Sequence, residues 1–226
     1  MQSFLNTYFD KIYCINLDRR KDRWIEMEKF FDANNIKIER YSAVDGNPMG
    51  FDSSKLVCGK PEAFHGIAGC VASHLNIWKL AKEKNYKRVL IIEDDSDFIP
   101  NFNELFKDLI SEVPEEWDLL YFGSMHETHN INFPEKITEK VVKAKRIITT
   151  TCYAIKDTIY DLAINSISFD LPFIYKPIDV YLADDIQPKC NTYAFHPPVA
   201  WQRASYSDIQ NGKRDYSNMM RYKNIK

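Results

Sequence analysis

Residues 87–100 read KRVLIIEDDSDFIP, and the junction inside that stretch decides the fold. Four apolar residues, Val89 to Ile92, run straight into Glu93, Asp94 and Asp95, with Asp97 close behind. A short apolar run bounded by polar residues is the pattern of a strand buried on both faces. In open α/β sheets, ligands bind beyond the carboxyl ends of the strands, where these acids fall. Carboxylates packed so closely repel one another: two unit charges about 4 Å apart cost roughly 1 kcal/mol in water and several-fold more at lower dielectric. A divalent cation relieves that repulsion. Mn²⁺ and Mg²⁺ prefer oxygen ligands, and Mg²⁺ usually takes one or two carboxylates plus substrate phosphates. On an extended backbone alternate side chains share a face, so Glu93 and Asp95 are expected to point together, with Asp94 elsewhere. The bland alternative is a solvated acidic turn capping the next helix.

Outward from this junction the chain alternates. KIYCINL (Lys11 to Leu17) reads as a buried strand. Asp18 is the expected N-cap of a helix that carries Trp24, Met27, Phe30 and Phe31 at helical spacing. IKIERYSAV (Ile36 to Val44) reads as a second strand stopped by DGNPMG. Strand, helix and strand in about 35 residues predicts a right-handed crossover unit. Residues 47–65 read as loop, and His65 to Asn85 as a long helix. Gly66, Gly69, Cys70 and Ser73 give that helix a small side, and Ile67, Val71, Leu75 and Trp78 a bulky one. Beyond Pro100 the pattern predicts a helix over Phe102 to Val113, then strands in WDLLYFGS and RIITTTCYAIK. Helices over Asp157 to Ile167 and Ile178 to Ile186 follow, and then the extended TYAFHPPVAWQ. This predicts one Rossmann-like α/β domain with a mixed, mostly parallel sheet over residues 1–210. Residues 211–226 are expected to be a tail, and the polar sequence from Arg203 onward to be mobile.

Composition narrows the class. The chain has 226 residues, 45% of them hydrophobic, with 7 glycines and 10 prolines, enough for a sizeable core and too few breakers for a disordered chain. A net charge of −2 offers no attraction to nucleic acid or an anionic membrane. No apolar run approaches the roughly 20 residues of a membrane span. The N-terminal sequence lacks a basic segment followed by an apolar core, and no retrieval signal is visible. These observations predict a cytoplasmic protein. The cysteines, five in all, contain no CxxC, and Cys14, Cys70 and Cys152 sit among apolar residues, which predicts buried free thiols.

Other residues carry chemistry. NLDRRKDR places Asn16, Arg19, Arg20 and Arg23 just past the first strand, where guanidinium forks and a helix N-terminus both favour phosphate. A charged solvent face explains the arginines equally well. No GxGxxG or GxxxxGK[ST] occurs. His74 lies one turn after Cys70 and reads as a core histidine or a site residue. His196, after an apolar run, is a candidate ligand for Mn²⁺ or an ordinary loop histidine. Asp179, at the start of a helix, either complements the helix dipole or serves as a general base. No G-x-S-x-G is present, and the His and Cys spacing matches no zinc pattern.

Taken in order, YCINLDRRKDRW, YSAVDG, GIAGCVASHLNIWKLAKEKNYKRVLIIEDDSDF, WDLLYFGS and KPIDVYL resemble glycosyltransferase family 25, which includes lipooligosaccharide and procollagen galactosyltransferases. The likeness spans about residues 11 to 210. It implies a GT-A fold, a UDP-sugar donor carrying galactose or glucose, Mn²⁺ or Mg²⁺, and transfer with inversion to a glycan or glycoprotein acceptor. It implies donor contacts at Asn16, Leu17, Arg19, Arg20, Arg23, Ala43, Asp45, Ser73, His74 and Asp94. Asp95 and Asp94, with His196, are the expected metal ligands, and Asp179 and Glu93 the expected catalytic acids. Many members read Gly-Glu-x-Gly-Cys where this chain has Gly66-Ile67-Ala68-Gly69-Cys70, so one acid of the pattern is absent. The rival readings are a GT-A-like binding or adhesion module without turnover, and a metal-dependent nucleotidyltransferase or phosphohydrolase.

Overall fold

The structure is a computed structural model and describes residues 3–46, 63–126, 134–167, 176–207, 209 and 212–216. The apolar run of the opening stretch is strand β3 (Arg88–Glu93), buried along Val89 to Ile92. It lies inside a seven-stranded sheet of order β2-β1-β3-β7-β5-β8-β6. The other strands are β1 (Lys11–Asn16), β2 (Glu39–Ser42), β5 (Leu119–Tyr121), β6 (Val141–Lys143), β7 (Cys152–Lys156) and β8 (Thr192–Phe195). β1 runs parallel to β2 and β3, and β5 parallel to β8, while β7 is antiparallel to both β3 and β5 and β6 is antiparallel to β8. Five of the seven strands therefore point one way, as the sequence predicts. The carboxyl ends of β1 and β3 sit side by side.

Alternation along β3 sends successive residues to opposite faces. Val89 and Ile91 join the core that holds Ile67, Val71, Leu75 and Trp78 of helix α3 (Phe64–Glu83). Leu90 and Ile92 join Met27 and Phe31 of α2 (Lys21–Ala33) and Phe102 and Phe106 of α4 (Phe102–Ser111). Full burial of one such side chain contributes about 1.5–3 kcal/mol, so each helix docks by its apolar stripe. Short helix α1 (Phe4–Tyr8) packs on α4 through Phe4 and Phe106. Helices α5 (Tyr160–Ser166) and α6 (Ile178–Tyr181) share the α3 face, and α6 runs on into a π-helical turn, Leu182–Ile186.

Several expectations need correction. Asp18 does not cap α2: its carboxylate accepts from Arg40 Nη2 (2.7 Å) and Ser42 Oγ (2.9 Å), and Arg20 occupies the cap position without a side-chain bond. The second strand is shorter than predicted, Glu39–Ser42, and β7 occupies only the end of its apolar stretch. The backbone turns at Asp94 and Asp95 before a short strand β4 (Ser96–Phe98), so Glu93 and Asp95 do not follow one extended register. β4 pairs with β9 (Ala200–Gln202). The polar segment beyond Arg203 is not a loose tail throughout: β10 (Ser205–Ser207) pairs with β11 (Gly212–Arg214). Cys14 and Cys152 are buried as expected, but Cys70 and Cys190 are half-buried. Cys58, and residues 47–62 of the predicted loop, lie outside the described residues. No helix among the described residues is long and apolar enough to cross a membrane.

Candidate active site

A cleft of about 200 Å³ opens at the carboxyl edge of β1 and β3. Its walls include Leu17, Arg19, Arg23, Ala43, Asp45, Ser73, His74, Glu93, Asp94 and Asp95, so ten residues expected at the site meet there. The wall against α3 is built by close approach. A Cβ on Gly69 would sit 2.3 Å from the Val44 carbonyl oxygen, and one on Gly46 would sit 1.8 Å from that of His65. Ser73 clasps the same seam: its Oγ donates to the Gly69 carbonyl (2.7 Å) and accepts from the Val44 N–H (2.9 Å). The small side of α3 thus seats the loop that presents Ala43 and Asp45.

The acids lie in three different settings. Asp94 is held on both oxygens: Arg23 Nη1 donates to Oδ1 (2.6 Å) and Asn16 Nδ2 to Oδ2 (2.7 Å). Asn16, 1% exposed, also donates to the Arg20 carbonyl (3.0 Å) and accepts from Arg40 Nε (2.7 Å). It positions Asp94 from behind the cleft and does not line it. Burial pushes the Asp94 carboxyl above its ordinary range although Arg23 opposes the shift. Asp95 is 6% exposed, and its Oδ2 accepts from Gln202 Nε2 (3.1 Å) and lies 3.3 Å from Arg23 Nη1. Its Oδ1 is buried with no hydrogen-bond partner among the described residues. Burial first, and then the neighbouring Glu93 charge, push the Asp95 carboxyl up to about 7. Glu93 accepts from Thr150 Oγ1 (2.6 Å) and lies 3.6 Å from His74 Nε2. Burial works to raise the Glu93 carboxyl, but His74, Thr150 and Arg23 outweigh it and hold it below its ordinary value. Asp97 stands apart, paired with Arg203 Nε at 3.1 Å.

The arginines separate as well. Arg23 is committed inward, and its Nη2 donates to Ser205 Oγ (2.9 Å) and the Tyr206 carbonyl (2.7 Å). Arg20 turns away to Asp22 (3.0 and 2.8 Å) and does not line the cleft. Arg19 stands half-exposed at the mouth, paired with Asp45 at 2.5 Å. Asp179 accepts from the Val180 N–H (2.9 Å) at the start of α6. Its carboxyl is pushed up by burial, and the charges of Glu93 and His74 reach it, which places it near that pair without lining the cleft. His196 does not join the acids. Its backbone N–H donates to the Lys140 carbonyl (2.8 Å), and β8, which it follows, stands three strand spacings, about 14 Å, from β3.

Sequence reasoning missed Thr150, Gln202, Cys70, Ser207 and Ile209. Thr150 and Gln202 carry no motif, and the chain brings them in from the approach to β7 and from β9. Cys70, Ser207 and Ile209 line the cleft. The small-residue pattern Gly69-Cys70-Ser73 was the signal available for Cys70.

A mixed, mostly parallel sheet with an acid cluster at its carboxyl edge defines the class as Rossmann-like α/β. The chain belongs to glycosyltransferase family 25, whose model, described as Glycosyltransferase family 25 (LPS biosynthesis protein), matches residues 9–167. It is similar to a Glycosyltransferase 25 family member of Drosophila melanogaster, 35% identical over 127 residues, covering 50% of this chain and 21% of that protein. It is also similar to Procollagen galactosyltransferase 2 of Mus musculus, 29% identical over 148 residues, covering 59% of this chain and 23% of that protein. The chain therefore spans less than a quarter of either relative's length. A solved glycosyltransferase involved in the glycosylation of the major capsid of PBCV-1 superposes with a TM-score of 0.47 at 11% identity, covering 83% of this chain and 81% of that one.

Proposed function

We propose that this chain moves a hexose, galactose or glucose, from a UDP-sugar to a hydroxyl of a glycan or hydroxylysine-type acceptor, with inversion and with a divalent cation. The observation that carries the reading is Asp95 Oδ1, a buried carboxylate oxygen without a partner among the described residues, beside Glu93 in the cleft. Leaving such an oxygen unpaired costs free energy that a cation would recover. Asp95 with Glu93 would hold Mn²⁺ or Mg²⁺, because Arg23 and Asn16 already occupy both oxygens of Asp94. When bound, the cation supplies a Lewis-acidic centre that offsets charge on the departing nucleotide.

The protein's own groups do the rest. Arg19, half-exposed on the cleft wall beside Asp45, would exchange that partner for donor phosphates, while Arg23 keeps the acids in position. Asp179 takes the proton from the acceptor hydroxyl. Burial raises its carboxyl, which makes it a stronger base than an exposed aspartate. Inversion needs only one such base. The match to Procollagen galactosyltransferase 2 supports galactose as the sugar.

The test is donor turnover by the full chain with UDP-galactose and UDP-glucose, with and without Mn²⁺. Release of UDP that depends on the cation and falls about 100-fold, or roughly 2.7 kcal/mol, in Asp95→Asn is the expected result. Release of UMP and sugar 1-phosphate in place of UDP would overturn it in favour of a phosphohydrolase, and formation of UTP and sugar 1-phosphate on addition of pyrophosphate would overturn it in favour of nucleotidyl transfer. Saturable UDP-sugar binding with no turnover would leave a binding module.

A further inference from the structure

Cys70, His74 and Glu93 bring one thiol, one imidazole and one carboxylate together, with their ligand atoms all within 4.8 Å of one another. Spacing along the chain hides this group, because Glu93 arrives from β3 while Cys70 and His74 sit one turn apart on α3. His74 is fully buried, and its Nε2 has no hydrogen-bond partner among the described residues. That nitrogen lies 3.6 Å from Glu93 Oε1. Ligand atoms held tetrahedrally about 2.0–2.3 Å from one ion are themselves roughly 3.3–3.7 Å apart. The His74–Glu93 pair already has that separation, and Cys70 Sγ needs only a modest side-chain movement.

The surroundings favour a cation there. His74 Nδ1 is hydrogen-bonded to Tyr153 Oη (2.8 Å), which also accepts from Trp78 Nε1 (3.0 Å). A bond at the other ring nitrogen is what orients a ligating imidazole, and the Nδ1–Tyr153 Oη bond fixes the ring whichever of the two atoms donates. Burial, and then the charges of Glu93, Asp179 and Asp95, hold the Cys70 thiol well above its ordinary range in the absence of a cation, and the same negative charges attract one. All three candidate ligands line the cleft, so a fourth position faces it.

We infer that Cys70, His74 and Glu93 form a site for a thiophilic divalent ion, Zn²⁺ by ligand type, whose occupancy withdraws Glu93 from the acid cluster. One thiolate and one imidazole select Zn²⁺ over the oxygen-preferring Mn²⁺ and Mg²⁺. Binding displaces the thiol proton to solvent. The inhibitory consequence rests on the transfer reaction proposed above; the site itself does not.

Co²⁺ reports the ligands directly. Titration of the metal-free full chain with Co²⁺ is expected to produce thiolate-to-cobalt charge-transfer absorption with a tetrahedral visible band, abolished by added Zn²⁺. Cys70→Ser, a near-isosteric change, is expected to lose the charge-transfer band, and His74→Gln to weaken Co²⁺ binding at least tenfold. Cys190→Ser is the control and is expected to keep the band. Circular dichroism establishes that each variant is folded. Absence of the band in the parent chain, or a band of equal strength in folded Cys70→Ser, overturns the site. Zn²⁺ is expected to lower Mn²⁺-supported UDP release at least tenfold in the parent. If the band forms and UDP release is unaffected, the inhibitory role fails. If no UDP release occurs at all, the transferase reading fails while the metal site stands.

Discussion

Arg23 shows how one side chain can fix a charged site. Its guanidinium reaches Asp94, Asp95, Ser205 and the Tyr206 carbonyl from a side chain only 11% exposed. Removing one member of a buried ion pair strands the other, at about 3–5 kcal/mol. Arg23→Met is therefore expected to lower unfolding free energy by about 3 kcal/mol in urea titration. Adding Asp94→Asn is expected to restore part of that loss, because the stranded charge is gone. A single variant within about 0.5 kcal/mol of the parent, on the order of ordinary surface substitutions, would rule the pairing out. At this scale the sequence was partly readable. The acids stood out because an apolar strand led into them. The difference between Arg19, Arg20 and Arg23 did not, since it depends on which carboxylate each meets: Asp45, Asp22 or Asp94.

At the scale of elements, α3 is the clearest case of sequence dictating assembly. Its glycine and serine side was legible, and the structure uses it to seat Val44 against Gly69. In an exposed helix, Ala is favoured over Gly by about 1 kcal/mol. At Gly69 the contact is with backbone that cannot easily yield, so Gly69→Ala is expected to destabilise by roughly 2 kcal/mol. Differential scanning calorimetry should show a lower Tm, and a higher one would refute the close approach. Asp18 does not take the cap position its local sequence suggests, because Arg40 and Ser42 on the adjacent β2 compete for its carboxylate. The polar composition beyond Arg203 suggests a loose segment. Its order comes instead from long-range bonds, among them Arg203 N–H to the Asp95 carbonyl (2.7 Å) and Arg23 to Ser205.

Across the whole molecule, the sheet gathers groups that are far apart in sequence, and several titrate in conflict with one another. His126 is buried at 7% exposure, and burial drives its imidazole down to about 4. The unfolded chain takes up that proton near pH 6.5, the folded chain only near 4, so His126 costs stability as pH falls through that window. The full difference is about 3 kcal/mol. Asp95 acts oppositely: its raised carboxyl favours the folded, protonated form in acid, and that advantage fades as pH rises from about 4 to 7. Comparing the parent with His126→Gln isolates the histidine. The parent is expected to lose about 3 kcal/mol more than the variant between about pH 7 and pH 4 in chemical denaturation, and parallel pH curves would count against it.

The grip of Arg23 on both the acids and the hairpin strand β10 couples the two mechanically. Anything that draws Asp94 or Asp95 out of that grip also slackens the hairpin beside the mouth, where Ser207 and Ile209 stand. Charge at the acids and access at the mouth are thereby tied to one guanidinium.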